Sequence, residues 1–225
     1  NVVPLPTPTF SGLGTAYCVS ASSVALSGTP MGGNFEVRRV SPTATTFESM
    51  GVNFNPAAPL PSDPLSGSPT LADRNSKAGV YQVRYVFTDA YGCTGFSAPQ
   101  NVSINPLPDI DFVFTSGFNE YCIDVASVSL TPSRSNGTLI PSSGFFRIQR
   151  VSPAFSADLP AGANTFTPSL LGMTVGSYNI TYHYNDENGC QNVSAPKNII
   201  IHPLPNPSFT GLAGSYCLNT TPVTL

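Results

Sequence analysis

The chain has 225 residues, and only 9% are charged: nine Lys and Arg against twelve Asp and Glu, for a net charge of −3; an average globular domain carries about 25%. No basic stripe exists to neutralise phosphates, which excludes a nucleic-acid binder, and no apolar run approaches the roughly 18 residues of a membrane span. With 23 Pro, 19 Gly and 40% hydrophobic residues, the composition is that of strands punctuated by turns, an all-β chain and not a disordered linker.

In chain order, Asn1–Pro4 reads as the end of a preceding repeat. Pro4-Leu-Pro6 follows; two prolines with fixed φ and no N–H end a strand and form a short, stiff connection. An edge segment at Thr9–Ser11 leads to Tyr17-Cys18 and to a strand over Ser23–Leu26. Asn34–Val40 alternates Phe35, Val37 and Arg39 against Glu36, Arg38 and Val40, a strand whose facing the pattern leaves open. Another strand lies at Val52–Asn55, and Pro56–Lys77, rich in Pro, Ser and Asp, is expected to be loop. Gly79–Cys93 carries the strongest signal. Tyr81, Val83, Tyr85 and Phe87 alternate, the run stops at Asp89-x-x-Gly92, and a second strand spans Phe96–Ile104. This predicts a β-hairpin with Cys93 just past its tip.

The same order then returns. Pro106-Leu-Pro108 precedes Phe112–Phe114, Tyr121-Cys122 and Val125–Leu130. Within Gly144–Pro153, the end Gln149-Arg-Val-Ser-Pro153 matches Arg38-Arg-Val-Ser-Pro42, and Asn164–Pro168 matches Val52–Pro56. Tyr178, Ile180, Tyr182 and Tyr184 run into Asp186-x-x-Gly189-Cys190. Pro203-Leu-Pro205 and Tyr216-Cys217 open the pattern a third time. The Tyr-Cys cysteines at 18, 122 and 217 stand 104 and 95 residues apart, and the Gly-Cys cysteines at 93 and 190 stand 97 apart. A unit of about a hundred residues is the size of one β-sandwich. The expected division is 1–4 as the end of a preceding repeat, 5–105 as repeat one, 106–202 as repeat two, and 203–225 as the start of a truncated third. The two repeats differ mainly by insertions at Pro56–Lys77 and Leu130–Gly144, the surface loops where their binding would differ.

Few residues invite a chemical reading. Gly79/Tyr81 and Gly176/Tyr178 read as tyrosine corners, in which a phenol bonds nearby backbone, in preference to ligand-stacking platforms. Asp89 and Asp186 at the hairpin tips read as turn acceptors; Ca²⁺ would need six to eight oxygens, which repeat one does not offer. The two histidines, His183 and His202, have no counterparts in repeat one, and neither builds a catalytic triad. No carboxylate pair for glycoside hydrolysis is supported. The cysteines form no C-x-x-C, which argues against zinc. No metal and no cofactor are therefore expected, and no enzymatic activity. Lys77 and Lys197 are not equivalent, which argues against an intramolecular isopeptide bond. The sequons at Asn101, Asn136, Asn179, Asn192 and Asn219 are expected by chance in so Asn- and Ser-rich a chain.

The order Phe-x-Gly-x-x-x-x-Tyr-Cys, a Val-x-Leu strand, a Gly-rich turn, Phe-x-Pro, Gly-x-Tyr-x-Ile-x-Tyr, Asp-x-x-Gly-Cys and Pro-Leu-Pro resembles the Ig-like repeats of giant Bacteroidota surface proteins. These include gliding-motility adhesins of the SprB type and proteins exported by the type IX system. The resemblance covers almost the whole chain and implies tandem immunoglobulin-like β-sandwiches, extracellular and at the cell surface. The long Pro56–Lys77 insertion departs from the compact repeat. The expected function is a structural or adhesive segment of a long surface adhesin, a stalk or multivalent contact module. Its partners would be neighbouring repeats of the same chain and polysaccharide or a solid surface, with no membrane insertion. The rival is an Ig-like spacer or glycan-binding module attached to a secreted hydrolase.

Disulfides fit an oxidising, extracellular setting. Recurrence favours intradomain pairs, Cys18–Cys93 and Cys122–Cys190, with Cys217 unpaired in this stretch. Geometry opposes them. In a standard sandwich the Cys before the second strand lies at the end away from the last hairpin's tip, about 30 Å off, whereas bridged Cα atoms lie within about 7 Å. The intradomain expectation requires the Tyr-Cys segment to cross toward the hairpin; the alternative is Cys18–Cys190, between neighbours.

Overall fold

The structure is a computed structural model and describes residues 2–138, 140, 143–150, 152–211, 213–215 and 218. The alternating runs form the centre of two sandwiches. In the first, the strands are β1 (Thr9–Ser11), β2 (Ala16–Cys18), β3 (Val24–Ala25), β4 (Ser27–Thr29), β5 (Asn34–Ser41), β6 (Glu48–Met50) and β7 (Asn53–Phe54). Then come helix α1 (Leu71–Asn75), β8 (Gly79–Thr88), β9 (Thr94–Phe96) and β10 (Gln100–Asn105). One sheet has the order β2-β10-β8-β5-β6 with β9 on β8; facing it, β1 pairs β4 and β3 pairs β7.

The second sandwich repeats this with β11 (Asp111–Phe114), β12 (Glu120–Cys122), β13 (Val128–Ser133), β14 (Phe145–Arg150) and β15 (Phe155–Asp158). It closes with β16 (Thr165–Phe166), β17 (Gly176–Asn185), β18 (Gln191–Val193) and β19 (Lys197–His202). Its sheets are β12-β19-β17-β14-β15, with β18 on β17, and β11-β13-β16. Both units are all-β, immunoglobulin-like sandwiches.

Every second side chain of the long strands points inward, as period two requires. Tyr81, Val83 and Tyr85 meet Phe35, Val37, Val102 and Ile104 across the first sheet, closed by Phe10, Leu26 and Phe54 from the other. Tyr178, Ile180, Tyr182, Phe146, Ile148, Ile199 and Ile201 do the same against Phe112, Val128, Leu130 and Phe166. The facing of Asn34–Val40 resolves with Phe35 and Val37 inside, and the register shifts between Arg39 and Ser41.

Three local readings differ from the pattern. Phe96–Ile104 is two strands, because Pro99 has no N–H to continue the ladder; Ser97 bridges the break by accepting from the Tyr85 N–H at 2.9 Å. The short outer strands β6 and β15, which the sequence pattern did not mark, pair with β5 and β14. The Pro56–Lys77 insertion is not all loop: it carries α1, capped by Thr70 and Asp73 in a reciprocal capping box.

The first strand divides between the two faces in each domain. β1 stays with β4, whereas β2 crosses to the other sheet and runs parallel to β10, with Cys18 opposite Asn105. β12 likewise runs parallel to β19, with Cys122 opposite His202. Of the third repeat expected at 203–225, the described residues are exposed and in no strand. Tyr216, Cys217 and residues 219–225 lie outside the described residues, as does Asn1.

Candidate functional site

The site is the junction between the domains. β10 ends at Asn105 and the chain passes through Pro106-Leu107-Pro108 into β11. Leu107 is only 8% exposed and belongs to the first core. Its peptide groups would be costly to bury unpaired. The Asn75 amide at the end of α1 satisfies both: it accepts from the Leu107 N–H at 2.8 Å and donates to its carbonyl at 2.9 Å. From the other side, Asn192 donates to the Pro108 carbonyl at 2.8 Å. Ile110, 7% exposed, is the first residue of the second core. The insertion therefore grips the connection between domains.

A covalent bond closes the junction. Cys18 is joined to Cys190, with Cα atoms 5.5 Å apart and a sequence separation of 172. Cys190 is fully buried and packs in the first domain's core, although it belongs to the second domain's hairpin. The tip that presents it is built locally. The Asp186 carboxylate accepts from the Asn188 and Cys190 N–H groups at 2.9 and 2.8 Å.

The intradomain pairing Cys18–Cys93 and Cys122–Cys190 is thereby corrected. The Tyr-Cys segment does cross to the hairpin's sheet, but it lands at the wrong end. Cys18 lies beside Asn105, near the Gly79 end of β8, whereas Cys93 follows the Thr88 end, ten residues along the strand. Such a strand spans about 33 Å, far beyond a disulfide. Cys93 is a half-buried free thiol and Cys122 an exposed one. Cys217, expected to be unpaired, lies outside the described residues.

The remaining candidates have structural partners. Tyr81 donates to the Lys77 carbonyl at 2.7 Å and Tyr178 to the Thr174 carbonyl at 2.8 Å, each four residues upstream, as in a tyrosine corner. Burial pushes the Tyr81 phenol up. An arginine braces each corner, a role the sequence pattern did not reveal. Arg39 lies 5.3 Å over the Tyr81 ring and donates to the Ala78 carbonyl; Arg150 lies 5.3 Å over Tyr178 and donates to the Val175 carbonyl. The shared Arg-Val-Ser-Pro run was the signal for it. Asp89 accepts from the Tyr91 and Cys93 N–H groups of its own turn. His183 stacks on Phe145 at 4.7 Å, and His202 meets Glu120 at 2.8 Å. Lys77 pairs with Asp63, and Lys197 pairs with Asp111 at 3.0 Å. Among the described residues, no group of three His, Cys, Asp or Glu gathers as metal ligands, and no helix is long and apolar enough to cross a membrane.

No protein-family model and no curated protein matches the chain. Among solved structures, it is similar to one from a study of host cell surface retention of a 1.5-MDa bacterial ice-binding adhesin, at 10% identity and a TM-score of 0.32. That match covers 88% of this chain, which spans 63% of the other's length. It is also similar to the fibronectin(III)-like modules of Clostridium thermocellum CbhA, at 14% identity, 91% and 100% coverage and a TM-score of 0.34. A marsupial T cell receptor gives 10% identity, 92% and 76% coverage and a TM-score of 0.39. The strand order of each domain defines its fold as an immunoglobulin-like sandwich.

Proposed function

We propose that this chain is a non-enzymatic, tension-bearing segment of a long, extracellular, repetitive surface adhesin, a stalk or multivalent contact module serving attachment or gliding. The observation that carries the reading is the Cys18–Cys190 bridge across the junction. A pull on the two ends enters at residue 18, crosses from sulfur to sulfur and leaves at residue 190. The stretch between them, holding most of both cores, lies off the covalent path of the load. Asn75 and Asn192 hold the same junction by hydrogen bonds, so neighbouring domains move as a unit.

A bridge of this kind persists in an oxidising compartment, which supports an extracellular place. The insertion was the best candidate for a ligand loop. Its Asn75 is committed to the junction, its Lys77 to Asp63 and its Leu60 to the first core, which favours a stalk over a glycan-binding module. Contact with polysaccharide or a solid surface would then come from many weak modules held in line. The assignment to SprB-type Bacteroidota adhesins is supported by the order of motifs.

Single-molecule pulling between the chain ends tests this. Without reductant, the loop closed by the cysteines, a sequence separation of 172, stays off the load path. Reductant should then release about 570–620 Å of additional contour at 3.3–3.6 Å per residue. The same full extension with and without reductant would overturn the reading.

A further inference from the structure

The staple joins two pieces, and each piece occurs a second time without its partner. The end of the second domain copies the end of the first. Cys122 lies opposite His202 as Cys18 lies opposite Asn105, in the same parallel pairing. The next N–H is held alike: Ile123 donates to the His202 carbonyl at 3.0 Å, and Val19 donates to the Asn105 carbonyl at 2.9 Å. The hairpin tip of the first domain copies that of the second. Cys93 donates its N–H to Asp89 at 2.9 Å, as Cys190 does to Asp186 at 2.8 Å. The reverse bonds, from the Asp N–H to the Cys carbonyl, are 3.0 and 3.1 Å. The entering chain is also seated alike. The Pro6 carbonyl lies so close over Gly95 that a Cβ there would come within 1.9 Å, at the position where Asn192 holds Pro108.

We propose that Cys93 and Cys122 are the two open halves of this same staple, each taken by a further repeat of this kind. Cys122 receives the hairpin-tip Cys of the repeat whose opening motif occupies 203–225. Cys93 receives the Tyr-Cys of a repeat ahead of residue 5. The rule is that each repeat's Tyr-Cys bonds the next repeat's tip. Each closure forms one S–S bond from two thiols. Two protons and two electrons pass to a low-molecular-weight disulfide, which is split into two thiols. The inference rests on the stalk reading and specifies how the stalk is held.

Staples placed this way interleave, because Cys93 and Cys122 both lie within the span from Cys18 to Cys190. The shortest covalent path crosses from 18 to 190 through sulfur, follows the chain for 27 residues from 190 to 217, and crosses again. Two repeats then have only about 90–97 Å of backbone on the load path. Two unstapled repeats, about 195 residues, would reach roughly seven times further. The array resists lengthening even with its cores unfolded, and reductant abolishes that resistance.

The test uses the native full-length protein, harvested with an alkylating agent and digested without reductant. Cys93 should be recovered joined to a Tyr-Cys peptide, and Cys122 to an Asp-x-x-Gly-Cys peptide. Pulling on the same protein should show a limiting length that rises about sevenfold on reduction. Recovery of Cys93 or Cys122 in alkylated form, joined to each other, or joined to a peptide lacking these motifs would overturn the proposal. The digest separates the two claims. If Cys18–Cys190 is present while Cys93 and Cys122 are alkylated, only the interleaved staple fails. If Cys18–Cys190 is itself missing, the stalk reading fails with it.

Discussion

The two Tyr-Cys ends share a backbone and differ in what stands against them. Cys18 is half-buried and bonded; Cys122 is an exposed thiol. Leu107 beyond the first end is 8% exposed, whereas Leu204, its counterpart beyond the second, is 51% exposed. Counting back six residues from each corner tyrosine gives Asn75 in the first domain, whose amide grips Leu107, and Gly172 in the second, which has no side chain to grip with. The local strand does not make the staple. A docked hairpin tip makes it, and α1 fixes the approach.

The largest expected effect follows from the bond itself. Cys18→Ser or Cys190→Ser should lower stability in guanidinium unfolding without reductant by up to about 5 kcal/mol, the chain-entropy limit for so long a loop. Cys122→Ser, at the open end of the same motif, should stay within about 0.5 kcal/mol. Equal losses at the two ends would erase the difference between them.

Next in size is the clamp. Asn75→Ala leaves the Leu107 N–H and carbonyl without partners and should cost about 1–3 kcal/mol. Amide exchange at Leu107 should quicken first, before that of β8. Unchanged exchange there would mean that the disulfide alone holds the junction. Smaller still are the corners. Tyr81→Phe and Tyr178→Phe should each cost about 1 kcal/mol. The second should cost more, because the Tyr178 hydroxyl also accepts from the Thr174 N–H at 2.8 Å. Thermal melts of the two variants would rank them.

The frame was legible because its signals are local. Alternation in Tyr81–Phe87 and Tyr178–Tyr184 marks the central strands, and Asp-x-x-Gly marks the tips. The corner tyrosines were legible too, since their bonds reach only four residues upstream. The staple was not, because nothing near Cys18 encodes the parallel pairing of β2 with β10 or the arrival of a hairpin 172 residues away. Recurrence pointed to partners within a repeat, whereas the bridge observed joins two neighbouring domains. Helix α1 was missed because it has five residues and sits in a Pro- and Ser-rich stretch, although Thr70-x-x-Asp73 is a capping signature.

The smallest expected effect separates the two hairpins. The first carries Val86 where the second carries His183, which pairs with Phe145 and Val193 near the stapled tip. Burial disfavours the imidazolium, and the Arg147 guanidinium adds to this. Asp158 opposes both, and the balance holds His183 below its ordinary range. The unfolded chain then takes up this proton first as pH falls through about 6.5. Stability from His183 is therefore complete above that pH and declines as pH falls toward the lower, folded value. In His183→Phe, which keeps an aromatic ring against Phe145, this part of the acid dependence should vanish between pH 7.5 and 5. Guanidinium midpoints of both chains across that window measure it. The same slope in the variant would show that the two hairpins, one with Val86 and one with His183, respond to acid alike.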